Sequence, residues 1–377
     1  MEPPTKRPRC TKDTCDDATQ STEVLQRYHN SSQPSNRFEG YGVQNRGNVE
    51  VSRDFIININ KPSDTRANVN KRQVLLESLQ FDQMDARQLT IKKAHAHTCA
   101  WFLNRSSYIN WTKKNTLHNG HNFLWIKGKP GARKLILMKF LLGKLRNQIR
   151  QAENQEILLS FFFNARGNDL EKTTTRLYRS LLLQLLEARP DLQYILDNVR
   201  IGHCWTIESL KSLFEEAIQG FGYTSLVCLI DALDECEEAQ IRDMVSFVSD
   251  PSIISSQFRI CFASRHYPHI TIKTGLSIVL ETQIGHGKDI ESYLHSALII
   301  EDNTLAEQIR CDLQEKASGV FMWVVLVVGI LNKEYDAGRE HVLHARIQQL
   351  PEDLHDLFLH ILIRDDNNMY GLLLCIQ

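Results

Sequence analysis

The sequence predicts an α/β fold, a parallel sheet flanked by helices and followed by an α-helical domain, and three observations predict it. Between residues 121 and 285, five short apolar runs alternate with amphipathic segments, the rhythm of strands joined by crossover helices. The first run leads through a glycine-containing turn into a helix, and the third ends in acidic residues. After Gly287 the strand signal stops, and only helical periodicity continues.

The expected strands are Phe123 to Ile126, Ile157 to Phe163, Ser225 to Ile230, Phe258 to Ser264 and Ser277 to Leu280. Each is too short and too uniformly apolar for a surface helix, as expected of strands covered on both faces. The helices between them are read at Lys134 to Gln151, Thr173 to Ala188, Ile207 to Gln219 and Glu238 to Val248. This unit spans 121–285. Before it, residues 71–120 form a helical lead-in, in which Leu75, Leu76, Leu79, Ile91, Ala94, Thr98, Trp101 and Phe102 recur at threes and fours. After it, residues 286–377 read as a helical domain, with helices at Asp289 to Leu298, Leu305 to Ala317, Val320 to Lys333 and Leu354 to Ile363. The apolar run Leu372 to Gln377 reads as the start of an unfinished helix, so a truncated chain is expected.

Residues 1–70 are rich in Asn, Ser, Gln, Gly, Arg and Asp and poor in large apolar groups, so they are expected to be largely disordered. Within them Val49, Val51, Phe55, Ile57 and Ile59 alternate with polar residues, the pattern of a short β or amyloid-like motif. The alternative reading is an exposed hairpin or no structure at all.

Charge and cysteine usage narrow the function classes. Forty-four basic residues against 45 acidic ones leave a formal net charge of -1, which provides no general pull toward nucleic acid or an anionic membrane. No nucleic-acid partner is therefore expected. Nine cysteines stand singly with no CxxC pair, a pattern of reduced, intracellular usage. The polar amino terminus carries no apolar signal segment, and Val320 to Leu331 falls far short of the ~20 residues that span a bilayer. The expected location is cytoplasmic; Lys6, Arg7 and Arg9 are a candidate nuclear-import signal or merely solvated charges. His95 with His97, and His118 with His121, lack the spacing or acidic neighbours of a metal site.

Two motifs carry chemistry. The turn Gly128, Lys129, Pro130, Gly131, Ala132, Arg133, Lys134, Leu135 follows a strand and opens a helix, the setting of a phosphate-binding loop. Such a loop needs glycines so that backbone N–H groups can wrap phosphate, a lysine for the β and γ oxygens, and a hydroxyl for Mg²⁺. Gly128, Gly131 and Lys134 fit. Arg133 stands where the second glycine belongs, obstructing the turn or pairing with phosphate, and Leu135 replaces the hydroxyl residue. The second motif, Leu226 to Glu235, is a buried strand ending in acids at its carboxyl end. There Asp231 is the candidate Mg²⁺ ligand, and Asp234 and Glu235 are candidate catalytic acids that orient or deprotonate water. The plain alternative makes these three residues a helix cap and a solvated first turn. Arg265, ending the strand Phe258 to Ser264, is a candidate sensor of the γ-phosphate or a surface arginine; Asn164, Ala165 and Arg166 point to the same sheet edge.

At these residues the chain resembles the NACHT domains of fungal NOD-like receptors, within the signal-transduction P-loop NTPases, of the kind whose amino-terminal part is the nephrocystin-3-like domain. The resemblance runs from about Leu75 to Gln377, on FDQMDARQLTIKKAHAHTCAWF, WIKGKPGARK, FFFNARG, DALDE, FASRHYP and ASGVFMWVVLVV. It implies a P-loop NTPase-type sheet, ATP or GTP with Mg²⁺ as cofactor, protein partners, and a homo-oligomer formed in the triphosphate state. It also implies that Lys134 holds phosphate, Asp231 the metal, Asp234 and Glu235 act in hydrolysis, and Arg265 senses the nucleotide. Arg133 and Leu135 depart from the pattern, so hydrolysis is expected to be weak or lost. The expected function is a nucleotide-dependent signalling switch or scaffold; the alternatives are an active ATP or GTP hydrolase and a non-functional fragment of a longer receptor.

Overall fold

The computed structural model describes residues 63–81, 98–113, 122–151, 156–164, 173–220, 224–250, 258–267 and 275–364. Five strands, β1 (Phe123–Lys127), β2 (Glu156–Phe162), β3 (Ser225–Asp231), β4 (Phe258–Ser264) and β5 (Leu276–Val279), pair in parallel in the order β2-β3-β4-β1-β5. The α/β fold of P-loop type, with a helical part behind it, is therefore what the chain adopts.

Period-two side-chain alternation divides β1, β2, β3 and β4 between two cores. Phe123 and Trp125 of β1, Cys228 and Ile230 of β3, and Ile260 and Phe262 of β4 enter one core. There they meet α1 (Ser63–Leu79), α4 (Thr174–Ala188), α5 (Ile207–Gln219) and α6 (Glu238–Val248) through Leu75, Leu181, Phe214 and Met244. The intervening residues, Leu124, Ile126, Val227, Leu229, Cys261 and Ala263, enter the other. That core is closed by the lead-in helix α2 (Ser106–Thr112) and by α3 (Lys134–Gln151), whose Leu137, Met138, Leu141 and Leu145 recur at helical spacing. The helix after β1 thus covers one face and those after β2 and β3 the other, an arrangement that leaves a crevice at the strands' carboxyl ends.

The helical unit comprises α7 (Ile284–Ala297), α8 (Asn303–Ala317), α9 (Phe321–Asp336), α10 (Leu343–Gln349) and α11 (Leu354–Arg364). The apolar run expected at Val320 to Leu331 is its buried centre: Trp323, Val324, Val327 and Leu331 of α9 are wholly enclosed, and Trp323 donates to the Pro351 carbonyl at 2.7 Å. Among the described residues, no helix is long and apolar enough to cross a membrane.

Several boundaries differ from those expected. α1 begins at Ser63, inside the span read as disordered. Its Leu75, Leu76 and Leu79 are buried, and Arg72 pairs with Asp197 in the 3₁₀ turn Pro190–Asn198, so tertiary anchoring carries a polar stretch into the helix. α7 starts at Ile284 rather than Asp289. Within this earlier start, Gly285 is a close-approach site, where an added Cβ would lie 2.4 Å from the Trp101 ring. β1 reaches Lys127, and β2 and β5 each start and end one residue earlier than expected. The six cysteines among the described residues are unpaired. The strand-like segment 48–60, the basic residues 6, 7 and 9, the histidines at 95, 97, 118 and 121, and residues 165, 166 and 372–377 lie outside the described residues.

Candidate functional site

Three strands deliver the site. The turn after β1, the end of β3 and the end of β4 meet at one edge of the sheet, where the Gly128 N–H donates to the Ser264 carbonyl at 3.3 Å. From there the chain turns back through Ala132, which donates to the Lys129 carbonyl at 3.2 Å, and enters α3. Two residues take left-handed backbone to make that turn: Gly131 at φ 77° and Arg133 at φ 66°. The expected obstruction at Arg133 is therefore corrected. The arginine adopts the conformation a glycine would have taken, at a cost of ~1–2 kcal/mol.

Lys134 points back into the loop, its Nζ donating to the Gly128 carbonyl at 2.7 Å and the Lys129 carbonyl at 3.0 Å. Burial pushes the ammonium down from its usual range, while Asp234 and Asp231 oppose that shift. Asp231, the last residue of β3, is itself buried, and burial pushes its carboxyl up to about 7 against the attraction of Lys134. Each of these charges is expensive alone, and each is eased by the other. Ala232 then turns the chain at φ 56° into the 3₁₀ turn Leu233–Glu235.

Asp234 and Arg265, expected to act separately on water and phosphate, are joined. The Asp234 carboxylate accepts the Arg265 backbone N–H at 2.9 Å and pairs with its Nε at 2.9 Å. Arg265 also donates to the Tyr267 hydroxyl at 2.9 Å. Glu235 follows in the same short turn, its N–H donating to the Ala232 carbonyl. Leu135 packs against the core beneath α3, so it offers nothing to a metal. The Arg133 guanidinium is not turned toward the loop's interior; it lies 3.9 Å over the Phe321 ring of α9.

Other residues complete the site without a motif of their own. Glu281, just beyond β5, accepts the Lys129 N–H at 3.3 Å and bonds His266. Its signal in the sequence was an acid directly after an apolar run, the same feature that marks Asp231. The helical unit sits on the loop: the Met322 N–H donates to the Gly131 carbonyl at 3.0 Å, and Lys129 Nζ to the Ser318 carbonyl at 3.3 Å. An added Cβ on Gly131 would stand 2.8 Å from Leu354.

Among the described residues, four non-glycine residues hold positive φ: Cys99, Arg133, Ala232 and Ser318. All belong to this site or its rim. Cys99 donates its N–H to Asp289 at 2.7 Å, beside Arg133, and Ser318 receives Lys129. Strain concentrated in this way is a mark of functional regions. The donor set fits the phosphates of a nucleotide, with a desolvated lysine within a left-handed turn and a buried carboxylate coupled to it electrostatically. For a divalent cation it offers Asp231 but no hydroxyl ligand. No group of three or more metal-ligating side chains occurs among the described residues.

Residues 97–265 match the family model described as nephrocystin 3, N-terminal. The matched span includes the loop, Asp231 and Arg265, and it supports an NTPase-like domain. No curated protein matches the chain. Among solved structures, "Structure of Drosophila ORC bound to DNA" aligns at TM-score 0.34 and 13% identity, over 76% of this chain and 69% of that one. "Structure of C. elegans PCH-2" aligns at TM-score 0.32 and 11% identity, over 74% and 73% respectively. Likenesses at this level say nothing of DNA or partners for this chain.

Proposed function

We propose that the chain is a nucleotide-dependent switch of the NACHT type, a signalling or scaffold protein that holds ATP or GTP at the β1–α3 turn and turns it over weakly or not at all. The carrying observation is Lys134, desolvated and bonded to the Gly128 and Lys129 carbonyls, coupled electrostatically to the buried Asp231, at a turn whose backbone is bonded directly to the helical unit through Met322 and Gly131. A bound nucleotide supplies phosphate charge and a polar surface at that junction. Lys134 holds the phosphates, exchanging its bonds to the loop carbonyls for bonds to anionic oxygens, and Asp231 is the protein ligand left for Mg²⁺. Weak hydrolysis follows from Leu135, which supplies no metal ligand, and from the engagement of Asp234 with Arg265. A change in what the loop binds alters the helical unit's seat, which then presents a different surface to protein partners or to a second copy of the chain.

The test is restoration. Full-length protein carrying Arg133→Gly with Leu135→Ser is expected to gain Mg²⁺-dependent ATP or GTP turnover at least tenfold above the unmodified chain, with Lys134→Ala in the same background abolishing it. Brisk turnover by the unmodified chain would contradict the impaired switch and favour a hydrolase. Silence of the restored protein, in both binding and turnover, would contradict a nucleotide function altogether.

A further inference from the structure

The side chain of Arg133 leaves the phosphate loop and lies over the Phe321 ring of α9. Its guanidinium enters a pocket between the lead-in segment, α3 and the helical unit, lined by Trp101, His286, Asp289 and Phe321. The guanidinium stacks 3.9 Å from the Phe321 ring centre, and about 10 Å³ of free volume remains there. The walls are organised for such a guest. Asp289 is fixed by the Cys99 N–H at 2.7 Å and the Trp101 indole N–H at 2.9 Å, and His286 is bonded to the Gly319 carbonyl at 2.9 Å. Aromatic rings beside oriented polar groups suit a flat, polar, nitrogen-rich group, and the chain fills the place with one of its own.

The backbone supports the same reading. A bulky residue at φ 66° persists only where its surroundings hold it there, and Arg133 is held from both ends, its main chain in the loop and its side chain on α9. At the next residue of α9, the Met322 N–H donates to the Gly131 carbonyl, so the stacking and the hydrogen bond fasten the same helix to the same loop. We infer that Arg133 is an internal plug and latch: it seats the helical unit on the phosphate loop and fills the pocket that the base of a bound nucleotide would enter. The latch stands on the geometry alone, whereas the plug rests on the proposed nucleotide reading. A nucleotide then binds at full strength only when the arginine withdraws, and its withdrawal frees α9.

Two variants of the full-length chain test this. Arg133→Ala removes the side chain, and Phe321→Leu removes its stacking partner while leaving the loop intact. Hydrogen exchange of residues 129–137 and 318–326, measured without nucleotide, is expected to speed up at least tenfold in Arg133→Ala and in the same direction in Phe321→Leu. Unchanged exchange in Arg133→Ala would overturn the latch. ADP is expected to bind Arg133→Ala at least tenfold more tightly than the unmodified chain. Equal affinity for the two proteins would overturn the plug. No ADP binding by any of them, with faster exchange still seen, would overturn the nucleotide reading and the plug with it, leaving the latch established.

Discussion

Charged residues gather at both ends of the sheet, but they are treated in opposite ways. At the amino end, Arg259 of β4 has a nearly buried side chain and pairs with Glu156 of β2. It also donates to the Thr112 carbonyl at 2.8 Å, and the Ser225 hydroxyl bonds the same Glu156 at 2.8 Å. Charge, hydrogen bonds and ordinary backbone agree there, and the cluster fastens the lead-in helix α2 to the sheet. At the carboxyl end, Lys134 and Asp231 are both desolvated, and two left-handed non-glycine residues, Arg133 and Ala232, stand directly beside them in the chain. The first arrangement stabilises the fold. The second costs stability, and such costs are tolerated where a ligand or a change of state is served.

The largest expected effect lies at the amino end. Arg259→Met leaves Glu156 without its buried partner and should destabilise the protein by ~3–5 kcal/mol in urea denaturation, with unchanged nucleotide affinity in the folded fraction. A loss below ~1 kcal/mol would dissolve the contrast between the two ends.

Asp231 should behave in the opposite sense. Burial raises its folded pKa to about 7, above the ~3.9 of an unfolded aspartate, so the folded state holds the proton more tightly. That contribution is complete below pH ~4 and is lost as pH rises through 7. Asp231→Asn should therefore gain stability relative to the unmodified chain between pH 4 and 7, on the order of 4 kcal/mol in all. Parallel pH profiles for the two proteins would show that Asp231 is not held in this way.

The smallest effect concerns strain. Ala232→Gly should stabilise by ~0.5–1 kcal/mol, since relief of the left-handed alanine outweighs the added freedom of the unfolded chain. A destabilised variant would mean that the Ala232 methyl contributes packing that outweighs its strain.

Much of the fold was legible because burial on both faces writes itself as short apolar runs. Val227 and Cys228, adjacent in sequence, serve opposite cores, which period-two geometry requires. The loop and the acidic strand end were legible because their chemistry needs particular residues at fixed spacing. What was not legible depends on contacts between distant segments. The direction of Arg133 is set by Phe321, far along the chain, and the helical start at Ile284 depends on how closely Trp101 packs against Gly285. Glu281 belongs with them, since a lone acid after a strand reveals nothing of the Lys129 amide it meets in space.

The most direct measurement is a calorimetric titration of ADP into the full-length chain and into its Lys134→Ala variant, with and without Mg²⁺. A nucleotide switch built on Lys134 predicts binding by the unmodified chain, little dependence on Mg²⁺ because Leu135 supplies no ligand, and loss of at least tenfold in affinity in the variant. Equal binding by both proteins, or none by either, would contradict it.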